Sequence, residues 1–127
     1  MKPLIHAKIS AKKFGGESTD YIKLHNWMDH TKAHLPDARH RMILHNSWGI
    51  FLGEQIFGVS IINSNGREIS VRTILEQHVI DDLGHIPTLK DCVDGLPLEP
   101  WMGTGVRGRI PKMKIKNIDQ FNIEIVD

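Results

Sequence analysis

Residues Asp29 to Gly58, DHTKAHLPDARHRMILHNSWGIFLGEQIFG, are the stretch that decides the fold. They contain four of the chain's eight histidines and a series of long apolar side chains. From Asp37 to Gln55 there is no proline, so this segment favours a long helix that Gly58 can end. Gly49 and Gly53 each cost about 1 kcal/mol against alanine inside such a helix, which suggests close packing at both positions.

The polar residues of this stretch recur at the spacing of one helix face. Successive members are separated by 4, 3, 4 and 4 residues: His30, His34, Asp37, Arg41 and His45. An unbroken helix would place them on one stripe. Pro36 either breaks the helix near Leu35 or lies in the first turn of a second helix. In both cases His30 and His34 still share a helix face before the proline, as do Asp37, Arg41 and His45 after it.

A second polar cluster lies on a shorter predicted helix, which runs from a capping Thr73 to Leu83 and ends at Gly84. Within this helix His78 and Asp82 are four residues apart and share one face. An imidazole and a carboxylate at this spacing can chelate one metal ion, and such pairs from two helices build the metal sites of helical cores. We therefore expect the functional site between this helix and the long one.

The predicted site binds a divalent metal ion. Its candidate ligands are His34, His40, His45, His78 and Asp82. Zinc suits an imidazole-rich site, and iron or manganese would follow if more carboxylates took part. With one open coordination position, a bound water would have a pKa of about 7 and act as a hydrolytic nucleophile, as in a small hydrolase. Glu54 or Glu76 is then the candidate general base, and Arg41 would orient the substrate.

Two other interpretations of the same residues stay open, so the sequence does not decide whether the protein is an enzyme. In the first, the histidines bond carboxylates or Arg41 in a structural network without metal. In the second, Arg41 and Arg72 bind a small anionic ligand, and Trp48 or Trp101 stacks on a base. The protein would then be a non-enzymatic binder of a nucleotide or a host protein. Three further histidines are expected at the surface or in packing roles: His6, His25 and His85.

After the long helix the sequence pattern changes to a period of two. Strand-like runs lie on both sides of Asn65-Gly66, a strong signal for a β-hairpin because its tight turn needs positive φ. With this turn at the tip, Ile62 would face Ile69 across the hairpin. We therefore predict an α+β fold, mainly helical, with one β-hairpin and a C-terminal strand pair.

The composition also changes along the chain. We expect residues 1–104 to form a single α+β domain and residues 105–127 to form a basic C-terminal extension. Residues 105–118 contain five basic side chains and no acid, and apolar and basic residues alternate there as in an edge strand. Such an edge discourages pairing with other sheets, or it contacts a partner or a second copy of the chain.

The overall composition bounds the class of protein. At 127 residues, with 40% hydrophobic and 24% charged residues, the chain fits one soluble globular domain. A formal net charge of +1 provides no global field for nucleic acid or a membrane surface. No apolar run approaches the roughly 20 residues that span a bilayer, and the N-terminus lacks a signal-peptide core. Cys92 is the single cysteine, so there is no intramolecular disulfide, and we expect a cytoplasmic protein.

A wider set of residues forms a pattern that runs through most of the chain. It includes Lys32-Ala33-His34, Arg39-His40-Arg41, His45, Glu54, Asn65-Gly66-Arg67, Glu76-Gln77-His78, Asp82-Leu83-Gly84, Ile86-Pro87 and Pro100-Trp101-Met102. In this pattern the chain resembles a small family known as a domain of unknown function, which occurs in bacteria and their viruses. The resemblance covers roughly residues 3–104 and implies a self-contained, often phage-borne domain. For the non-enzymatic alternative, it implies a phage accessory or anti-defence protein.

Overall fold

The computed structural model describes residues 1–103, so the predicted C-terminal strand pair and basic extension lie outside the described residues. Six α-helices and two strands follow in this part of the chain: α1 (Pro3–Phe14), α2 (Ile22–Asp29), α3 (Arg41–Leu44), α4 (Ser47–Phe57), β1 (Ser60–Ile62), β2 (Glu68–Ser70), α5 (Val71–Leu83) and α6 (Leu89–Val93). Short 3-10 turns lie at Ser18–Asp20, His30–Ala33, Ala38–His40 and Pro100–Met102. The predicted α+β, mainly helical class is confirmed. None of these helices is long and apolar enough to cross a membrane.

Helix α5 is predicted correctly except at its first turn. The Ser70 hydroxyl accepts a hydrogen bond from the Thr73 amide, so the helix begins at Val71 and Ser70 is its cap. Gly84 ends the helix in the left-handed conformation, with φ 83°. His78 lies on the same buried side of α5 as Ile74, Leu75 and Val79.

The long helix predicted for residues 37–55 is wrong, because the chain breaks at His45. The next residue, Asn46, is extended (φ −154°, ψ 175°), and its side chain accepts a hydrogen bond from the Gly49 amide, so α4 starts afresh. A Cβ atom at position 49 would collide with the backbone carbonyl of Leu44, so only glycine allows this close approach. The break leaves His45 fully buried between α3 and α4.

The β-hairpin is confirmed, but its register differs by one residue from the predicted one. Ile69 pairs with Ile61 rather than with Ile62. The cause lies in the turn, where the side-chain oxygen of Asn63 accepts hydrogen bonds from two of the following backbone amides. These bonds close a loop of three residues instead of two, which shifts every pair of the ladder.

Helices α1, α2, α4 and α5 and strand β2 contribute to the apolar core. Its members include Ala7, Leu24, Met28, Ile50, Ile69, Ile74, Leu75 and Val79. Helix α4 packs closely on α5 at Gly53, where an added Cβ would meet the Leu75 side chain and lie 3.1 Å from Trp27. The close packing suggested for this glycine is therefore present, and it holds α4 and α5 together beside a second, polar interior.

Candidate metal centre

Seven polar side chains are buried where α1, α2 and α5 approach the break between α3 and α4. This inner cluster consists of His6, Ser10, His25, Asp29, His45, His78 and Asp82. The side chains of His45 and His78 are 0% exposed, and that of Asp82 is 2% exposed. Because water does not reach these groups, each polar atom needs a partner within the cluster or a bound ion.

Four donor atoms of the inner cluster lie close together. His45 Nε2 is 3.1 Å from His78 Nε2 and 2.9 Å from Asp82 Oδ2. Asp29 Oδ1 is 3.2 Å from His78 Nε2 and 3.4 Å from His45 Nε2. His78 Nε2 is also 3.4 Å from Asp82 Oδ2. Ligands about 2.0–2.1 Å from a tetrahedral zinc ion are about 3.3–3.4 Å from one another. These distances are close to the edges of such a tetrahedron, and we call Asp29, His45, His78 and Asp82 the candidate metal centre.

The centre is charged even without a metal. Burial would raise the pKa of Asp29, but hydrogen bonds from His45 and His78 outweigh it and hold that pKa below its ordinary value. Burial opposes the ionised form of Asp82 too, but contacts with His45, His6 and His78 lower its pKa. Burial disfavours the imidazolium of His45, and hydrogen bonds to the two carboxylates reverse this effect and raise its pKa. A proton on His45 therefore neutralises part of the carboxylate charge, whereas a divalent ion would neutralise all of it.

A chain of two hydrogen bonds orients His78 from behind. Its Nδ1 is 2.8 Å from Nδ1 of His25, and Nε2 of His25 is 2.8 Å from the Ser10 hydroxyl. Burial, together with the neighbouring His78 and His6, lowers the pKa of His25 to about 3, so this imidazole is neutral near pH 7. His78 can donate its Nδ1 proton to His25 and keep the Nε2 lone pair for an ion. Metal-binding histidines are usually oriented in this way.

The second oxygen of Asp82 faces donors instead. Oδ1 is 3.1 Å from the α-amine of Met1, 3.2 Å from His6 Nε2 and 3.7 Å from Arg41 Nη2. The His6 contact is poorly aligned as a hydrogen bond, and neither ring nitrogen of His6 has another partner among the described residues. The Nε of Arg41 is also buried without a partner there. This edge of the centre therefore has more donors than acceptors.

A surface cavity brings other predicted residues together. Its volume is about 280 Å³, and it is lined by Ser47, Ile50, Phe51, Glu54, Arg72, Glu76 and Ile86. Arg72 Nε donates to Glu76 at 3.0 Å, so one acid and one base of the cavity are already paired. No lining residue belongs to the inner cluster. Glu54 and Glu76 thus lie beside a different site from the candidate metal centre.

Most of the described chain also corresponds to a known family. Residues 1–102 match a family described as a domain of unknown function, DUF6915. The chain belongs to this family. The matched range contains the whole inner cluster, so the candidate metal centre lies entirely within the DUF6915 domain. No curated protein and no solved structure matches the chain.

The DUF6915 domain brings three of the five predicted ligands into the candidate metal centre: His45, His78 and Asp82. His40 is buried beside the centre, where its Nε2 is 3.7 Å from Asp29 Oδ1. His34 is exposed at the end of a 3-10 turn and lies outside the groups of potential ligands in the described chain. The stripe that joined His34 to His45 in the sequence needed an unbroken helix, which the fold does not form.

Four members of the inner cluster were not predicted as site residues: His6, Ser10, His25 and Asp29. His25 and Asp29 are four residues apart on α2, the same spacing as His78 and Asp82 on α5. That spacing was a usable signal for Asp29. Helix α1 has no acidic residue to pair with His6, so the sequence offered no such signal there. Of the predicted substrate-binding residues, Arg41 contacts Asp82 and Arg72 lines the surface cavity.

Proposed function

We propose that this domain binds one divalent transition-metal ion, zinc foremost, through Asp29, His45, His78 and Asp82. The observation that carries the proposal is that two imidazole nitrogens and two carboxylate oxygens lie within 4.8 Å of one another in a buried site. Each nitrogen is 2.9 to 3.4 Å from both oxygens and 3.1 Å from the other nitrogen. Four atoms with lone pairs at these distances repel one another unless protons or a cation lie between them. A metal ion removes this repulsion at all four positions at once.

The charge and chemistry of the donors favour a dication. Two carboxylates and two neutral imidazoles leave a net charge of zero around a divalent ion, which is the least costly state for a buried site. Mixed nitrogen and oxygen donors in a tetrahedron suit zinc, which has no geometric preference of its own. Iron and manganese remain the alternatives among the metals, because both accept carboxylate and imidazole ligands.

The geometry supports a stabilising role for this metal. Four protein donors fill a tetrahedral shell, as in structural zinc sites, which are closed. The ligands come from α2, from the break after α3 and from α5, so one ion joins three parts of the chain. A metal that binds only the folded state stabilises that state.

The hydrolytic chemistry predicted from the sequence is not part of this proposal. It needs an open coordination position with a base next to the bound water. The four donors leave no such position in a tetrahedral centre, and Glu54 and Glu76 line the separate cavity. Binding of a nucleotide or a host protein stays a prediction, because no feature of residues 1–103 favours either partner.

The proposal is tested by the metal content of protein purified without a metal-affinity column. We expect inductively coupled plasma mass spectrometry to find one metal ion per chain. Zinc added to chelator-treated protein should restore this stoichiometry and raise the melting temperature. His45→Ala should remove both the bound metal and the gain in melting temperature, because it deletes one of four ligands.

A matched control separates the structural ligand set from the predicted one. His34→Ala deletes an exposed imidazole that was predicted as a ligand and lies outside the cluster. It should leave the stoichiometry at one ion and the melting temperature unchanged. Protein that binds no zinc, cobalt, iron or manganese after chelator treatment would refute the proposal and leave a hydrogen-bonded network.

A further inference from the structure

We infer that the metal-loaded domain binds a small oxyanion at Arg41 and His6, beside the outer oxygen of Asp82. The inference rests on the proposed metal ion, because that ion changes the charge of this edge. The ligand class is a phosphate-, sulfate- or carboxylate-like anion, which accepts hydrogen bonds from a guanidinium and an imidazole.

Arg41 has hydrogen-bonding capacity that the described structure does not use. Its Nε is buried without a partner, and its ion-pair contact is the 3.7 Å approach of Nη2 to Asp82 Oδ1. A buried N–H without an acceptor is costly, so an unmade bond of this kind calls for a ligand or a water. The side chain is 28% exposed, which gives a ligand a path from solvent.

His6 supplies a second unpaired group at the same edge. Its side chain is 0% exposed, and neither ring nitrogen has a hydrogen-bond partner among the described residues. The ring stacks on His78, with the two centroids 3.7 Å apart and an interplanar angle of 20°, so its position is fixed. Whichever nitrogen carries the proton, that N–H lacks an aligned acceptor among the described residues.

Metal binding strengthens the case for an anion. Without metal, the negative charge of Asp82 is the counter-charge of Arg41 and of the Met1 α-amine, which lies 3.1 Å from the same oxygen. Once a divalent ion is bound, the two carboxylates of the centre are neutralised, and the guanidinium and the α-amine are left as uncompensated cations at a partly buried site. An oxyanion bridging Arg41 and His6 would supply the missing negative charge and the missing acceptors together.

This arrangement makes the metal and the oxyanion cooperative ligands. If metal raises the affinity for the oxyanion, the oxyanion must raise the affinity for the metal by the same factor. The oxyanion is held by the edge of the centre and needs no bond to the metal. It is therefore compatible with a closed, four-ligand shell.

Isothermal titration calorimetry tests the inference with sulfate and, separately, acetate as probes, on zinc-loaded and chelator-treated full-length protein. We expect at least one of the two anions to bind about tenfold or more tightly to the zinc-loaded form, within the usual range of coupling. Arg41→Gln should abolish this gain while the protein still binds one zinc ion. The matched control is Arg39→Gln, which removes the same charge from an exposed arginine paired with Asp37 and should leave both affinities unchanged.

The two proposals fail in different ways. One zinc ion per chain with equal anion affinity in the two forms would overturn the oxyanion site and leave the metal centre. A zinc-dependent gain that survives in Arg41→Gln, or that is lost in Arg39→Gln, would also overturn it. Absence of zinc binding in the wild type would overturn both proposals. The zinc content of the protein, measured before the anions are added, shows which case holds.

Discussion

Helix α5 carries two acid–base pairs at the same spacing, and their surroundings give them different chemistry. Arg72 and Glu76 form a contact of 3.0 Å with side chains 65% and 34% exposed, whereas His78 and Asp82 approach to 3.4 Å at 0% and 2% exposure. A surface pair contributes about 0–1 kcal/mol, because water and salt screen it. A buried pair is costly unless other groups satisfy its remaining polar atoms. For His78 and Asp82, which we call the inner pair, α2 and the break after α3 supply those groups. The ability of a pair to hold a metal ion is therefore set by its neighbours rather than by its spacing.

The largest effect should come from His78→Ala, which removes the residue that contacts most of the inner cluster. His78 lies within 3.4 Å of Asp29, His45 and Asp82 through one nitrogen and bonds His25 through the other. We expect the variant to lose its metal ion. We also expect it to lose about 3–5 kcal/mol of unfolding free energy, the usual cost of removing the partner of a buried charge, here those of Asp29 and Asp82. Metal analysis and urea unfolding measure the two losses. Full retention of metal by a folded variant would contradict the assigned ligand set.

The next largest effect should come from Asp29→Asn, which keeps the size of the side chain and removes its charge. The pKa of Asp29 is held below its ordinary value by His45 and His78, so it is an anion at pH 7. We expect metal affinity to fall by more than about 100-fold, which exceeds the 10–100-fold cost of losing an outer partner of a ligand. Competition with a chromophoric chelator measures this ratio.

Asp37→Asn is the control for that experiment, because Asp37 is an exposed carboxylate paired with Arg39. It should leave metal affinity within twofold of wild type. If the two variants behaved alike, Asp29 would have only a structural role and the centre would have three ligands.

The sequence could predict those parts of the fold that are determined by neighbouring residues. The hairpin follows from Asn65-Gly66, and α5 follows from local caps and a terminal glycine, which are decided within a few residues. The break at His45 could not be predicted in this way. It depends on the Asn46 cap and on Gly49 lying against the Leu44 carbonyl, so a contact between two helices overrides the helical pattern.

The site was predictable to the extent that its residues share a helix. His78 and Asp82 were found because i, i+4 spacing places them on one face, and His25 and Asp29 obey the same rule. His45 was placed on a stripe with the exposed His34, and reaches the site through the break instead. His6 belongs to the cluster only because α1 packs against α2 and α5, which no local pattern shows.

A smaller effect, visible in acid, should come from His25→Gln. The pKa of His25 is lowered from 6.5 to about 3, chiefly by burial, so between these values the unfolded chain binds a proton that the folded protein does not. Stability should therefore fall as pH decreases through this window, by up to about 1.4 kcal/mol per pH unit from this residue. Removing the imidazole should reduce the slope by about one proton.

Urea unfolding of chelator-treated protein at about pH 4 to 6 measures this slope. The other shifted groups interfere little there. The lowered pKa values of Asp29 and Asp82 matter below their ordinary value of 3.8, and the raised pKa of His45 matters above 6.5. Parallel slopes for wild type and variant would mean that His25 is protonated in the folded state. His25 would then donate its Nδ1 proton to His78 instead of accepting one from it.

The smallest effect should come from the exposed pair of α5, Arg72 and Glu76, which we call the outer pair. Arg72 lies in the first turn of α5, where the positive end of the helix dipole disfavours a cation. The ion pair is also weaker when the base precedes the acid by four residues than when the acid comes first. We expect a double-mutant cycle with Arg72→Ala and Glu76→Ala to give a coupling of no more than about 0.5 kcal/mol, lost in 1 M salt. A coupling well above about 1 kcal/mol that persists in salt would show that the 280 Å³ cavity shields this pair from water. In that case the outer pair would resemble the inner one, and the cavity beside Glu54 would be a second candidate binding site.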